Sequence, residues 1–245
     1  MVPLCFDKST WAIVAMLAVL KAGGVCVPLG PSHPVERLKT ILQDTSAEVV
    51  LASPVHSKTF HGLVNAVIAA LCTSSAAHGS AFGICRQSRV LQFAAYTFDT
   101  SVGDIFTTLQ RGGCVCVISE YDRMNRLAQV ITAMRANYID LTSSVAGLIN
   151  PLEVPSITTL ILGGEPASGR VIDSWATHAQ TYNVYGPTES CINVSRSERL
   201  EVGSNPANIG KALASRFWIV ERDNHNSLAP IGCIGELLIE GPLLA

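Results

Sequence analysis

The segment that decides the fold runs from Thr158 to Ser190 and reads TTLILGGEPASGRVIDSWATHAQTYNVYGPTES. It contains two short runs typical of β-strands, 159–162 and 182–185, and each ends in a glycine turn that carries a glutamate. Between them, Ser168 can cap a helix whose apolar positions fall on one face. Those positions are Val171, Ile172, Trp175 and Ala179.

A strand, a helix and a second strand at this spacing predict a right-handed parallel crossover. The turns at 163–166 and 186–189 would then leave the same carboxyl edge of one sheet, where open α/β sheets bind ligands. Glu189 with Thr188 could hold a Mg²⁺–phosphate pair, because Mg²⁺ takes one or two carboxylates and fills its shell with phosphate oxygens and water. On these residues alone, an ordinary turn with a helix cap is the favoured interpretation.

Composition limits the class of protein. A chain of 245 residues with 48% hydrophobic and 15% charged residues predicts a soluble globular protein of one large or two modest domains. The net charge of −2 argues against a nucleic-acid partner. The apolar run 11–20 is too short to span a membrane and lacks the positive start of a signal peptide. We therefore expect a cytoplasmic protein with no membrane partner.

The eight cysteines stand singly in apolar runs such as 25–27 and 114–117, which predicts buried free thiols in a reducing compartment. No Cys/His pairs stand at zinc-like spacing, so a zinc site is not expected. His56, His61 and His78 share no spacing, and we expect them to be solvated or structurally satisfied.

Helices and strands alternate along the chain, which predicts an α/β fold with a largely parallel sheet. After Ser190 the pattern becomes more β-like. The expected strands are 25–29, 48–52, 89–95, 114–118, 138–142, 216–220 and 236–240, in addition to the two quoted above. The expected helices are 9–21 with a Ser9 cap, one from Pro34 that buries Val35, Leu38, Ile41 and Leu42, 63–77, one from Ser101 that buries Val102, Ile105, Phe106 and Leu109, 123–136 and 145–149.

Five segments resemble, in order, the motifs of one family. Asn183-Val-Tyr-Gly-Pro-Thr-Glu189 looks like the adenine- and Mg²⁺-contacting motif of adenylate-forming enzymes, specifically of the adenylation domains of nonribosomal peptide synthetases. The other four are Leu20–Leu29 continued by Pro31–Arg37, Tyr96–Ser101, Leu162–Glu165, and Ile209-Gly210 with Gly235–Gly241. The resemblance spans nearly the whole chain and is closest to fungal members. It implies the large amino-terminal domain of this fold, with mostly parallel sheets flanked by helices and a β-rich carboxy-terminal portion.

The resemblance implies a reaction and its partners. An amino acid and ATP would give an aminoacyl-adenylate and pyrophosphate, and the aminoacyl group would pass to the phosphopantetheine thiol of a carrier domain. ATP and Mg²⁺ would be the cofactors, and carrier and condensation domains would be the partners in an intact synthetase.

The resemblance also implies roles for individual residues. Asp99 would pair with the substrate α-ammonium, a charge-assisted contact, although it could also cap the helix that follows it. The other positions lining the amino-acid pocket would be Thr100, Gly103, Asp140, Ile161, Gly163, Val184, Ile192 and Asn193. Asp140 could favour a polar or basic substrate side chain, or could equally face solvent at a strand end. The nucleotide would contact Gly164, Glu165, Asn183, Tyr185, Gly186 and Thr188, and Glu189 would hold Mg²⁺.

The departures from the family pattern are as informative as the matches. The interval 53–95 lacks the Ser/Thr/Gly-rich phosphate loop that ends in Pro-Lys-Gly, and Gly30 stands where the family usually has Asp. We therefore expect residues 1–245 to be a partial adenylation domain that has lost the phosphate-loop region around 53–88. The small carboxy-terminal subdomain, with its catalytic lysine, is also expected to be absent, because the chain ends directly after a strand and a glycine.

Two further interpretations stay open. One is an acyl- or aryl-CoA synthetase fragment, against which Asp99 argues because a substrate without an amine gives it no partner. The other is a non-catalytic binding remnant or a pseudogene product.

Overall fold

The structure, a computed structural model, describes residues 1–47, 50–52, 56, 78–190 and 192–241. Its first sheet has three parallel strands, with β1 (Val2–Cys5) between β2 (Cys26–Pro28) and β3 (Leu51–Ala52). Helix α1 (Thr10–Lys21) leads from β1 to β2, and α2 (Val35–Asp44) follows β2. The sequence did not predict β1, whereas β2 and β3 lie within expected strands.

A seven-stranded sheet forms the centre of the molecule. Five of its strands are parallel in the order β5-β4-β6-β7-β8, which confirms the predicted parallel sheet. Two short antiparallel strands, β9 and β10, extend it beyond β8. The strands are β4 (Arg89–Gln92), β5 (Cys114–Val117), β6 (Tyr138–Leu141), β7 (Thr159–Leu162), β8 (Gln180–Tyr185), β9 (Ser195–Arg196) and β10 (Lys211–Ala212).

The helices around this sheet differ in places from the predicted ones. The helix expected from Ser101 begins at Asp99 and is continuous, and we call it α3; it passes through Asp99–Val102, a π-helical stretch Gly103–Thr107, and Thr108–Gln110. The helix expected at 123–136 is two helices, α4 (Glu120–Asn125) and α5 (Leu127–Met134), because the backbone leaves helical geometry at Arg126 with φ −142°. Two further helices are α6 (Ser143–Ala146) and α7 (Gly169–Ala176), with 3₁₀ turns at Pro151–Glu153 and Thr188–Ser190, and residues 78–81 are also helical.

The strands of the central sheet divide their side chains between two apolar layers, as the period of two requires. Ile139 and Leu141 of β6 lie in the large core with Trp175 of α7. Tyr138 belongs to a smaller cluster on the opposite face, together with Ile161. Asp140 shares that second face because it follows Tyr138 by two residues. The second face is therefore the one that carries polar groups.

A third, antiparallel sheet confirms the predicted β-rich carboxy-terminal portion. It consists of β11 (Arg216–Glu221) between β12 (Asn224–Leu228) and β13 (Glu236–Glu240).

Some predicted burial was wrong. Val35 is 52% exposed because it is the first residue of α2, and Leu109 is 39% exposed. Leu109 follows the π-helical stretch, whose wider turn rotates later residues away from the face that a regular helix would bury. Ala179 is buried, but it lies beyond the end of α7. The helix expected at 63–77 lies outside the described residues.

The expectation of buried cysteines holds only in part. Six described cysteines are free thiols, of which Cys5 and Cys116 are buried, whereas Cys85, Cys114 and Cys233 are exposed. None of the helices in the described ranges is long and apolar enough to cross a membrane.

Candidate functional site

The two glycine turns leave neighbouring parallel strands at one edge of the central sheet. β7 and β8 pair in parallel, and their register places Leu162 opposite Asn183. The turns at 163–166 and 186–189 follow directly, so both emerge at the carboxyl edge, as predicted.

A close backbone approach explains the glycine in the second turn. A Cβ added at Gly186 would lie 1.9 Å from the Ile192 carbonyl oxygen and 2.6 Å from Asn193 Cα. Ile192 itself has φ +79°, a region that β-branched residues rarely adopt. Such a conformation costs on the order of 1–3 kcal/mol and is typical of sites where neighbouring structure fixes the backbone. The 186 turn and the 192–193 segment are thus held tightly together.

A pocket lies on the polar face of the sheet, between α3 and β6. One wall is a single face of α3, formed by Thr100, Gly103, Asp104 and Thr107, and Asp140 of β6 lies in another wall. The pocket is also lined by His78, Phe82, Ile84, Val90, Tyr138, Ile192 and Asn193. Asp140 therefore lines this pocket and is partly exposed.

The predicted pocket positions separate into two groups. Thr100, Gly103, Asp140, Ile192 and Asn193 line the pocket. The other three lie next to it: Ile161 and Val184 belong to the apolar cluster that also contains Val90 and Tyr138, and a Cβ at Gly163 would lie 2.7 Å from Val184 Cγ2. This second group shapes the floor of the site without lining the cavity.

Asp99 stands beside this pocket at the first residue of α3. Its Oδ1 accepts a hydrogen bond from the Thr100 N–H at 2.9 Å, whereas Oδ2 is buried and has no hydrogen-bond partner in the described part of the chain. Burial raises the pKa of Asp99, and this effect outweighs the opposing influence of nearby donors, among them the Ile192 N–H and the Thr188 hydroxyl. The carboxylate thus connects the pocket with the 186–189 turn. It does not cap α3, because the N-cap position is Phe98.

Two further carboxyl groups on the pocket walls influence each other. Burial raises the pKa of Asp140 to about 7, and the charge of Asp99 adds to this rise. Burial also raises the pKa of Asp104 well above its ordinary value, with a further contribution from Asp140. Lys8 and the Ala94 N–H oppose that rise. The pocket is therefore rich in carboxyl groups whose charged form is poorly stabilised.

Lys8 is held beside Asp104 by the end of β4. Its Nζ lies 2.9 Å from both the backbone oxygen and Oε1 of Gln92, and 2.7 Å from the carbonyl oxygens of Phe93 and Ala94. Burial lowers the pKa of Lys8 to about 8, and Asp104 partly offsets this effect.

The predicted nucleotide residues lie around the two turns. Asn183 is buried, and its Nδ2 donates to the carbonyl oxygens of Pro206 and Asn208 at 3.3 and 3.1 Å. A ligand contact by this side chain would therefore come from Oδ1. Tyr185 is 41% exposed at the end of β8, and Thr188 and Glu189 are exposed.

The first turn has a different character. Gly164 has φ +79°, which favours glycine. The Glu165 carboxylate accepts a hydrogen bond from the Ser144 N–H at the start of α6, and this bond lowers the pKa of Glu165. The Glu165 side chain is thus used within the protein, which leaves its backbone for a ligand.

The residues present fit a Mg²⁺ ion that arrives with a nucleotide. No group of three or more acidic, histidine or cysteine side chains that could hold a metal occurs among the described residues. A single exposed carboxylate, Glu189 beside Thr188, suits an ion whose other ligands are phosphate oxygens and water.

Sequence reasoning missed several pocket residues. Asp104 and Thr107 follow Thr100 at spacings of four and seven, which places all three on one helix face. Tyr138 precedes Asp140 by two residues on a strand, which places both on one sheet face. These periodicities were visible in the sequence. By contrast, no local signal links His78 to the pocket or Lys8 to Asp104, because both relations arise only through tertiary contacts.

Comparison with known proteins identifies the family. The family model described as AMP-binding enzyme matches residues 1–71 and 59–245, so the chain belongs to the AMP-binding enzymes. It is 44% identical over 288 aligned residues to the nonribosomal peptide synthetase ecdA of Aspergillus rugulosus, covering 99% of this chain and 4% of that protein. It is 41% identical over 293 residues to the nonribosomal peptide synthetase atnA of Emericella nidulans, with coverage of 100% and 4%. The chain thus spans about 4% of the length of these relatives.

Solved structures show the same fold. A four-domain nonribosomal peptide synthetase bound to AMP and glycine superposes with a TM-score of 0.86 at 21% identity, covering 99% of this chain and 22% of that one. A nonribosomal peptide synthetase in an AMPPNP-bound form gives a TM-score of 0.87 at 17% identity, covering 100% and 32%. The resemblance to peptide-synthetase adenylation domains is therefore confirmed, as is the predicted fold.

Proposed function

We propose that this chain forms the amino-acid and adenine side of an adenylation site. The observation that carries the proposal is Asp99, whose buried Oδ2 has no hydrogen-bond partner among the described residues. Asp99 precedes the pocket residue Thr100 and lies near the Thr188 hydroxyl of the 186–189 turn. A buried carboxylate oxygen without a donor is costly, and an α-ammonium group would supply a charge-assisted bond. An amino acid bound there would extend its side chain into the pocket and its carboxylate toward the nucleotide.

The reaction proposed for the site is amino-acid activation. The substrate carboxylate attacks the α-phosphorus of ATP, the bond to pyrophosphate breaks, and an aminoacyl-adenylate forms. A phosphopantetheine thiol of a carrier domain would then take the aminoacyl group and release AMP. Carrier and condensation domains are the proposed partners, and the free thiols at six described cysteines support a reducing, cytoplasmic setting.

The position and exposure of the residues around the two turns support the proposed nucleotide contacts. The adenine would lie against the exposed ring of Tyr185, with the Asn183 amide oxygen and the Gly164–Glu165 backbone at its edge. Gly186 would allow the backbone to approach the ligand, and Thr188 would contact a phosphate. Glu189 would hold Mg²⁺, which supplies charge neutralisation at the phosphates when it is bound.

We further propose that the chain lacks the loop that holds the phosphates from the opposite side. Two observations support an internal loss. The family model matches in two segments, 1–71 and 59–245, that overlap at residues 59–71 instead of forming one continuous match. The alignment with the Aspergillus rugulosus protein has 288 positions against 245 residues in this chain, so at least 43 positions have no counterpart here. Removing one stabilising contact typically costs about 10²–10³ in rate, so we expect little adenylation by this chain alone.

Titration with ATP in the presence of Mg²⁺ tests the proposal. We expect saturable heat for one site in the folded chain. Tyr185→Ala should weaken binding at least about fivefold, because stacking of a base on an aromatic ring is worth about 1–3 kcal/mol. Tyr121→Ala is the matched control, because Tyr121 is 66% exposed on α4, away from the turns.

Two outcomes would contradict the proposal. A folded chain without ATP binding would favour a non-catalytic remnant of the family. Equal weakening by both tyrosine substitutions would remove the 186–189 turn as the nucleotide site. An acyl- or aryl-CoA synthetase is disfavoured by Asp99, because a substrate without an amine leaves its buried Oδ2 unpaired.

A further inference from the structure

Three carboxyl groups surround the pocket, but they differ in their partners. Asp99 lies beside the 186–189 turn and is the proposed partner of the substrate α-ammonium group. Asp104 has Lys8 and the Ala94 N–H close enough to favour its charged form. For Asp140, the charge that acts on it is that of Asp99, which is of the same sign. Within the described part of the chain, Asp140 is therefore the carboxyl group of the pocket without a compensating charge.

The other described residues of the pocket wall do not supply that charge. Neither lysine nor arginine occurs among those that line the cavity. His78 lines the cavity and could carry a positive charge if protonated. It is buried, and its Nε2 lies 3.0 Å from the Asn193 carbonyl oxygen, with which it forms a hydrogen bond. Its burial lowers its pKa and keeps it neutral near pH 7.

Unpartnered oxygens on the helical wall point to the same kind of ligand. Asp104 is 5% exposed and Thr107 is 1% exposed, and both line the pocket. Asp104 Oδ2 and Thr107 Oγ1 have no hydrogen-bond partner among the described residues. Asp104 lies within the π-helical stretch, and Thr107, three residues later, is its last residue. Both therefore face the cavity from the same part of α3. Buried acceptors without donors are costly, and a ligand with several N–H groups would satisfy them.

We propose that the pocket selects an α-amino acid whose side chain ends in a primary ammonium group, an inference that rests on the proposed function. The side-chain ammonium would pair with Asp140 and direct its remaining donors to Asp104 Oδ2 and Thr107 Oγ1. An ammonium group has three N–H donors, one for each of three acceptors: the Asp140 carboxylate on the strand wall, and Asp104 Oδ2 and Thr107 Oγ1 on the helical wall. Phe82, Ile84 and Val90 line the same cavity and would contact the methylene groups. A diamino acid thus satisfies both the charge and the apolar surface of the pocket.

The test compares side chains that differ only at their ends. Non-hydrolysable sulfamoyl-adenosine analogues of the adenylates of ornithine, norvaline and glutamine are titrated calorimetrically into the 245-residue chain. We expect the ornithine analogue to bind at least about tenfold more tightly than the norvaline analogue, because a charge-assisted contact is gained. In Asp140→Asn this preference should fall to about twofold or less, whereas Asp223→Asn, in the exposed turn before β12, should keep it.

The outcomes separate this inference from the proposed function. If the norvaline or glutamine analogue binds as tightly as the ornithine analogue, the site stands and the ammonium assignment is wrong. An unchanged preference in Asp140→Asn would also overturn it. If no analogue binds to the folded chain, both the site and the assignment fail. A melting curve checks that Asp140→Asn folds; should it not fold, the ornithine-to-norvaline ratio in the unsubstituted chain decides alone.

Discussion

Gly186 is the residue at which backbone geometry and site are most closely connected. In Gly186→Ala, the new Cβ would meet the Ile192 carbonyl oxygen at 1.9 Å, so the turn or the 192–193 segment must move. We expect a loss of at least about 2 kcal/mol in the free energy of unfolding, measured by urea denaturation. Gly169→Ala is the control, since a Cβ there meets nothing within 4 Å and Gly169 starts α7. It should leave stability unchanged or raise it by about 0.4–1 kcal/mol. Equal effects of the two substitutions would show that the turn is not tightly held.

The raised pKa of Asp140 predicts that the stability of the folded chain depends on pH. Its pKa is raised to about 7 in the folded chain, so the folded state keeps a proton that the unfolded state releases near its ordinary value. Stability should therefore fall as pH rises from about 4 to about 7 and change little above. Asp140→Asn removes this pH-dependent loss. The free energy of unfolding of the variant should therefore equal that of the unsubstituted chain near pH 4 and exceed it by at most about 4 kcal/mol above pH 7. Thermal unfolding at several pH values measures it, and an advantage independent of pH would contradict the account.

The residues that sequence reasoning found were those carried by local motifs. Asp99, Asp140 and the 186–189 turn lie in short segments with a family pattern, and the structure brings them to one edge of the sheet. Asp104 was missed although it shares a helix face with Thr100. Lys8 could not have been found, because it reaches Gln92, 84 residues away, through tertiary structure alone.

At the scale of elements, the helix starts offer a direct comparison. The Ser9 hydroxyl accepts from the Ala12 N–H and caps α1, whereas Ser168 occupies the same position before α7 without a side-chain cap bond. We expect Ser9→Ala to cost about 1 kcal/mol and Ser168→Ala a few tenths at most. Chemical denaturation of the two variants measures the difference. Equal losses would mean that capping does not account for the cost at Ser9.

Helix predictions failed where tertiary structure overrode a regular period. The apolar positions predicted one helix from Ser101 that buries Leu109, but the π-helical stretch at 103–107 shifts the later faces and leaves Leu109 partly exposed. Such stretches often occur at functional sites. Here Asp104 and Thr107 lie in this stretch and line the pocket. The departure from regular geometry therefore coincides with the residues that sequence reasoning missed.

For the whole molecule, the alternation of helices and strands was sufficient to predict a parallel sheet, but not its complete composition. β1 was missed because its four residues, VPLC, include a proline, which argues against a central strand. Two strands of the third sheet, β11 and β13, were predicted, whereas β12 was not. Their exposure was not predicted either, since Trp218, Ile219 and Leu238 are all more than one-third exposed. The burial of a strand depends on what packs over its sheet, and the sequence of the strand itself does not show that.

The central claim is that the pocket and the glycine turns form one site for an aminoacyl-adenylate. Calorimetric comparison of AMP with a non-hydrolysable glycyl-adenylate analogue tests it most directly, because glycine brings an α-ammonium but no side chain. We predict that the analogue binds at least about tenfold more tightly than AMP, and that Asp99→Asn reduces its affinity to that of AMP. The account is contradicted if the folded chain binds both ligands equally, or if Asp99→Asn leaves the difference intact.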